Sequence, residues 1–166
     1  MIDIINFQWS GGKGLGFKKI NNFSDFKIVK GGSISRNMEA VNSRKTDILI
    51  MAENIPSNDK THHRNSGLNH LICKLAKENN VAIGFSFSNL LNSTNISRVL
   101  GRMKQNVRLC RKYKIRMMIG SFAENEFEMR TAKDLMAFGR VLGMTGSEVK
   151  KAMNFEKKKP SFLVLA

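Results

Sequence analysis

The stretch Val81-Ala82-Ile83-Gly84-Phe85-Ser86-Phe87 leads through a polar interval, Asn89 to Asn95, into Ile96, Val99, Leu100, Met103, Val107 and Cys110. After these comes Arg116 to Gly120. The first run is short and almost wholly apolar, as a strand buried on both faces requires. The middle residues fall within one arc at about 100° per residue, the mark of a long helix with one buried side. Arg116 to Gly120 is a second strand, so the segment reads strand, helix, strand. That is a βα unit, and it predicts an α/β fold with a mainly parallel sheet.

The alternation extends in both directions. Upstream, Phe26 to Val29 reads as a strand, Gly31-Gly32 as a turn, and Ile34, Met38 and Val41 as one face of a short helix. Asp47 to Met51 is the next strand. A loop rich in Asn, Ser, Pro and Asp (Glu53 to Ser66) precedes a helix stripe of Leu68, Leu71, Ile72, Leu75 and Ala76. Downstream, Thr131 caps a helix with Asp134 in its first turn and Leu135, Phe138 and Leu142 on its buried side. Thr145-Gly146-Ser147-Glu148 forms a capping box that opens a last helix carrying Val149 and Met153. Lys157-Lys158-Lys159-Pro160 then breaks the pattern before a small apolar tail, Phe162 to Leu165.

At 166 residues the chain fits one domain, 1–166, with a divergent start (1–25) and a tail (154–166). Ile2 to Ile5 fits an opening strand. The glycine-rich joint at 11–16 is no phosphate-binding loop, because Gly14 stands after Lys13 where Ser or Thr is needed.

Charge is the anomaly. Against 28 Lys and Arg stand 13 Asp and Glu, a net +15 with pI near 10.2, so a polyanion is the expected partner. No run approaches the ~18 apolar residues of a membrane span, and Met1 to Trp9 lacks the pattern of a signal peptide. The expectation is a soluble, cytoplasmic protein that meets nucleic acid rather than a membrane.

The excess is focused. Between Asn79 and Ala123 there is no acidic residue, while Arg98, Arg102, Lys104, Arg108, Arg111, Lys112, Lys114 and Arg116 all occur there. On the helical wheel Lys104, Arg108, Arg111 and Lys112 lie opposite Val99, Met103 and Cys110. Burying the apolar stripe leaves a basic ridge able to neutralise phosphates, unless it is simply a solvated helix face. The aromatic residues sit mostly at core-like positions, which favours contact through backbone and shape over base stacking.

Residues for catalysis are scarce. Cys73 and Cys110 have no ligand spacing, which leaves reduced thiols rather than zinc or a disulfide. His62 and His63 sit in a loop as a solvated pair. His70 falls with Lys74 and Lys77 on the polar side of its helix, pointing outward. Ser121 follows a strand without the elbow motif of a serine nucleophile. Asp47 fits a strand-entry hydrogen bond and Asp134 a helix cap, while Lys150 is either a surface charge or a phosphate contact.

Several stretches together resemble one family. They are Arg64-Asn65-Ser66-Gly67-Leu68-Asn69-His70, the Leu75 to Ile83 junction, Asn89-Leu90-Leu91, the basic helix from Asn106 to Tyr113, the strand to Ser121, and Glu128 to Leu135. In order and spacing, from Phe26 to Met153, they are similar to the thirty-kilodalton-subunit family of ribonuclease P, called protein component 3 in archaea.

The resemblance implies a TIM-barrel-like fold related to the polymerase-and-histidinol-phosphatase (PHP) hydrolases but without their metal cluster. It implies a non-catalytic subunit that assists the ribonuclease P RNA in removing the 5′ leader from precursor tRNA. The chain itself would bind no cofactor, and magnesium would sit on the RNA. The partners implied are that RNA, precursor tRNA within the complex, a small ferredoxin-like protein subunit and other ribonuclease P proteins. Matching the family's positions singly points to Arg36, Asp47, Arg64, His70, Arg130, Asp134 and Lys150, with Asp47, His70 and Asp134 in assembly or structural roles.

A full (β/α)₈ barrel takes ~200 residues or more, so an abbreviated or incomplete barrel is expected. Phe122 stands where family members tend to carry a polar residue. Two rival functions remain from the residues alone: a stand-alone metal-dependent phosphoesterase of the PHP superfamily, and a general structured-RNA-binding protein.

Overall fold

The computed structural model describes residues 1–11 and 15–157. The centre of the glycine-rich joint (12–14), the Lys158-Lys159-Pro160 break and the apolar tail lie outside the described residues.

Strands β1 (Ile2–Ile5) and β2 (Lys19–Asn22) pair in parallel. A second parallel sheet has the order β3 (Ile28–Lys30), β4 (Ile48–Ile50), β5 (Ala82–Ser86) and β6 (Met117–Gly120). A side chain joins the two sheets. The Asp3 carboxylate, on β1, accepts from the Ser121 amide at 2.7 Å and from the Ser121 hydroxyl at 2.5 Å, just past the end of β6. Asn6 N–H donates to the Ala123 carbonyl at 2.8 Å. Burial pushes the Asp3 carboxyl up to about 6, against the hydrogen bonds from Ser121 and Ile4. The strands therefore follow one another as β2-β1-β6-β5-β4-β3.

Among the described residues the α-helices are α1 (Ile34–Asn42), α2 (His70–Glu78), α3 (Phe87–Leu91), α4 (Ile96–Tyr113), α5 (Ala132–Val141) and α6 (Gly146–Met153). One face of the main sheet carries Leu49, Ile83, Phe85 and Ile119. These belong to one core with Val41, Ile72, Met103, Val107, Cys110, Leu135, Phe138 and Val149 of the helices. The alternate strand residues Ile48, Ile50, Ala82 and Met118 form a second cluster with Ile4, Phe122 and Phe155, flanked by Phe23 and Phe26. This is a mixed α/β fold with parallel sheets.

Phe122 takes a left-handed backbone (φ 47°), a conformation unfavourable for a bulky residue, and its ring meets Phe23 edge-on at 6.0 Å. Gly84 leaves it room: a Cβ there would come within 2.7 Å of Ile50 and 3.2 Å of the Phe122 ring. The position expected to be polar is thus spent on the core.

Local signals held where chemistry was local. Thr145 and Glu148 form the expected capping box, and the expected Thr131 cap is closed by Asp134 into a second one. The predicted strand at Phe26 to Val29 lies two residues later at its start, and β2 went unpredicted because Lys19-Ile20-Asn21-Asn22 offers one apolar residue. Three stripe residues, Ile34, Leu71 and Ile96, are exposed. In α1 the inward position belongs instead to Asn37, whose amide donates to the carbonyls of Ala52 and Gly67 at 2.9 Å each. The polar interval after β5 begins with helix α3, capped by Ser86 and burying Ser88 and Asn89.

Candidate nucleic-acid interface

Helix α4 starts on Asn95, whose side chain accepts from Arg98 N–H at 2.9 Å, and ends on Lys114 in the left-handed region. Met103, Val107 and Cys110 turn inward, and Lys104, Arg108, Arg111 and Lys112 are exposed as the wheel predicts. Clustering cations toward a helix C-terminus also matches the partial negative charge there.

Arg102 requires a correction. Expected among the phosphate-gripping cations, it is 2% exposed. Its guanidinium donates to the carbonyls of Glu53 (3.0 Å), Ile55 (2.8 Å) and Ser57 (2.6 Å) and to the Asp59 carboxylate (2.7 Å). It is a clamp on the loop after β4. The wheel places it beside Val99 and Asn106, so the signal was a cation inside the apolar arc.

Arg111 is exposed but engaged. It grips both Glu148 oxygens at 2.8 Å and donates to the Gly143 carbonyl, fastening α4 to α6. These hydrogen bonds hold the Glu148 carboxyl down at about 2. Lys104, Arg108 and Lys112 carry the charge of the ridge, with the Lys112 ammonium 5.5 Å from the Tyr113 ring centre.

The remaining expected residues are dispersed. His70, exposed at the start of α2, meets the Tyr113 hydroxyl through Nδ1 at 2.9 Å, a partner the sequence did not reveal. Arg64 is half exposed and 3.4 Å from Asp59. Arg36 donates to the Lys30 carbonyl, and Arg130 to those of Phe127 and Met129 while facing the Phe87 ring at 5.2 Å. Arg98 is partly buried in the first turn of α4, and Lys150 is exposed on α6. Asp47 is buried and accepts from Lys27 N–H, the strand-entry bond, and Asp134 completes the α5 capping box by accepting from Thr131 N–H and its hydroxyl. His62 and His63 are exposed.

The C-terminal ends of the strands, where α/β-barrel enzymes keep their chemistry, are polar and bond largely among themselves, except that the buried Oε2 of Glu53 has no hydrogen-bond partner among the described residues. Glu53, 1% exposed, accepts from the Asn89 amide at 2.8 Å, and Asn54 and Asn89 exchange bonds of 2.7 and 3.0 Å. Burial pushes the Glu53 carboxyl up to about 7 despite Asn89 and Arg102. Glu128 accepts from Ser88, Asn92 and the Glu124 amide, and these bonds outweigh burial to leave its carboxyl below the usual range. Among the described residues no group of three His, Cys, Asp or Glu is placed to hold a metal ion, and no helix is long and apolar enough to cross a membrane.

Comparison with known proteins gives one family. Residues 2–159 match the model of the RNase P subunit p30 family. Ribonuclease P protein component 3 of Methanosarcina mazei is 35% identical over 143 residues, 85% of this chain and 56% of that protein. The Methanosarcina acetivorans counterpart is 36% identical over 82% of this chain and 54% of its own length. The chain spans about half the length of these curated relatives. A chain of the cryo-EM structure of archaeal ribonuclease P with mature tRNA shares the fold, with a TM-score of 0.70 at 22% identity over 93% of this chain and 87% of that one.

Proposed function

The chain belongs to the RNase P subunit p30 family, and on that premise we propose that it is a non-catalytic, RNA-binding subunit of ribonuclease P. It assists the catalytic RNA in removing the 5′ leader from precursor tRNA. The observation that carries this reading is the row Lys104, Arg108 and Lys112, exposed on a helix with no acidic residue and set apart from the polar strand ends. Such a row neutralises phosphates without reading bases.

In this reading the chain binds no cofactor and the magnesium belongs to the RNA. Its partners are the ribonuclease P RNA, precursor tRNA within the complex, a small ferredoxin-like protein subunit and the other ribonuclease P proteins, in the cytoplasm. The fold is an abbreviated TIM-like barrel of the PHP type, a reading supported by the parallel strand series and the Asp3–Ser121 junction.

The test is cleavage of 5′-labelled precursor tRNA by an archaeal ribonuclease P RNA and its protein partner at limiting magnesium, with and without this chain. The expected result is faster leader removal only when the RNA is present. Cleavage by the chain without RNA, abolished by EDTA, would replace the reading with a metal-dependent phosphoesterase.

A further inference from the structure

One glycine interrupts the polar face of α4, and a side chain from elsewhere occupies the space it leaves. A Cβ on Gly101 would lie 2.6 Å from Cζ and Nη1 of Arg64 and 2.9 Å from its Nε, so the guanidinium rests directly on the helix backbone there. Glycine is a poor helix former, and mid-helix it needs a reason such as close approach.

The loop that delivers Arg64 is pinned at several points. Gln105 donates to the Arg64 carbonyl at 3.0 Å and to the Ser66 hydroxyl, and Asn106 donates to the Ser66 carbonyl at 2.9 Å. Asp59 accepts from Asn65 N–H at 2.9 Å while also binding Arg102. Asp59 is the acid nearest Arg64, and its charge is shared with the buried Arg102, so the three groups together keep one net positive charge.

We propose that Gly101 is a seat for Arg64, through which the loop at 57–65 supplies the first cation of a composite phosphate-binding row, Arg64, Lys104, Arg108 and Lys112. This rests on the RNA-binding reading above. Positions 101, 104, 108 and 112 share one face of α4, so at about 1.5 Å per residue the row runs roughly 16 Å along the helix. Arg64 keeps a half-exposed side chain and faces solvent from a fixed backbone, so little ordering remains to be done on binding. Gly101 acts through Arg64 and is a positioning residue. The ligand chemistry is the phosphodiester backbone of a structured RNA.

The experiment measures affinity of the full chain for a fluorescently labelled, in vitro transcribed archaeal ribonuclease P RNA across a salt series. The proteins are wild type, Arg64→Gln, Gly101→Ala, the Arg64/Gly101 double variant and Lys104→Ala. Arg64→Gln and Gly101→Ala should each weaken binding about 3- to 10-fold and reduce the slope of log affinity against log salt by about one. The double variant should be no worse than either single one, because both remove the same contact. Gly101→Ala should melt at or above the wild-type temperature, since alanine is the better helix former. Affinity and slope unchanged in Gly101→Ala and Arg64→Gln while Lys104→Ala lowers both would overturn the seat and leave the RNA-binding reading standing. Wild-type binding without salt dependence would overturn both.

Discussion

The outer face of α4 and the strand-end mouth hold similar numbers of polar side chains but use them in opposite ways. At the mouth, Glu53, Asn54, Asn89, Asn92 and Glu128 bond mainly to one another, and Glu53 is buried deeply enough to approach neutrality. On α4, Lys104, Arg108 and Lys112 stand in solvent, while the fourth cation of the ridge, Arg111, is paired with Glu148. Polar groups satisfied internally specify a fold, and charges left exposed are available to a partner. An α/β protein can thus use the polar residues at its strand ends for structure and leave the charges of a flanking helix free for a partner.

The comparison can be broken most severely at Arg102, which joins the two regions. Arg102→Met should cost about 3–5 kcal/mol of unfolding free energy in urea titration, because Asp59 and three carbonyls lose their donor. A loss of under about 1 kcal/mol would mean the loop after β4 is held by other contacts.

Next in size is the mouth itself. The Glu53 carboxyl stands raised in the folded state, so folding is favoured while it is protonated and loses that advantage as pH rises through about 7. Stability should fall by roughly 2–3 kcal/mol between pH 5 and pH 8. Asp3, raised to about 6, adds about 1 kcal/mol to that decline. Glu53→Gln should leave only the smaller Asp3 part, and an equal pH dependence in the variant would remove Glu53 from the account.

The Arg111–Glu148 link has the opposite sign. Glu148 is held down at about 2, so its contribution is present above the ordinary carboxylate range and is lost as pH falls toward 2. Arg111→Ala should cost about 1 kcal/mol near neutrality, given the partial exposure of the pair, and less in acid. The smallest effect is expected at His70→Ala, within ~0.5 kcal/mol in melting, since the ring is exposed and loses one bond to Tyr113. A larger loss would make the His70–Tyr113 contact part of the core.

Sequence reading succeeded where a residue's fate depends on near neighbours. The helix cap at Thr131, the capping box at Thr145, the strands β4 to β6 and the outward row on α4 all follow from spacing. It failed where a polar residue is buried against a distant backbone. Asn37 is oriented by carbonyls 15 and 30 residues away, and Arg102 by those 45 to 49 residues away. The coupling of Arg111 to Glu148 and the seating of Arg64 on Gly101 likewise arise only from tertiary contact. The contacts of Arg64 with Gly101 and of His70 with Tyr113 join residues 37 and 43 positions apart and have no local signal.

The most direct measurement compares the two regions in one assay. Binding of archaeal ribonuclease P RNA is followed across a salt series for Lys104→Ala/Arg108→Ala on the helix and for Asn92→Ala/Glu128→Gln at the mouth. The account predicts that the helix variant lowers the slope of log affinity against log salt by about two while the mouth variant leaves it at the wild-type value. An unchanged slope in the helix variant, or an equal loss in the mouth variant, would contradict it.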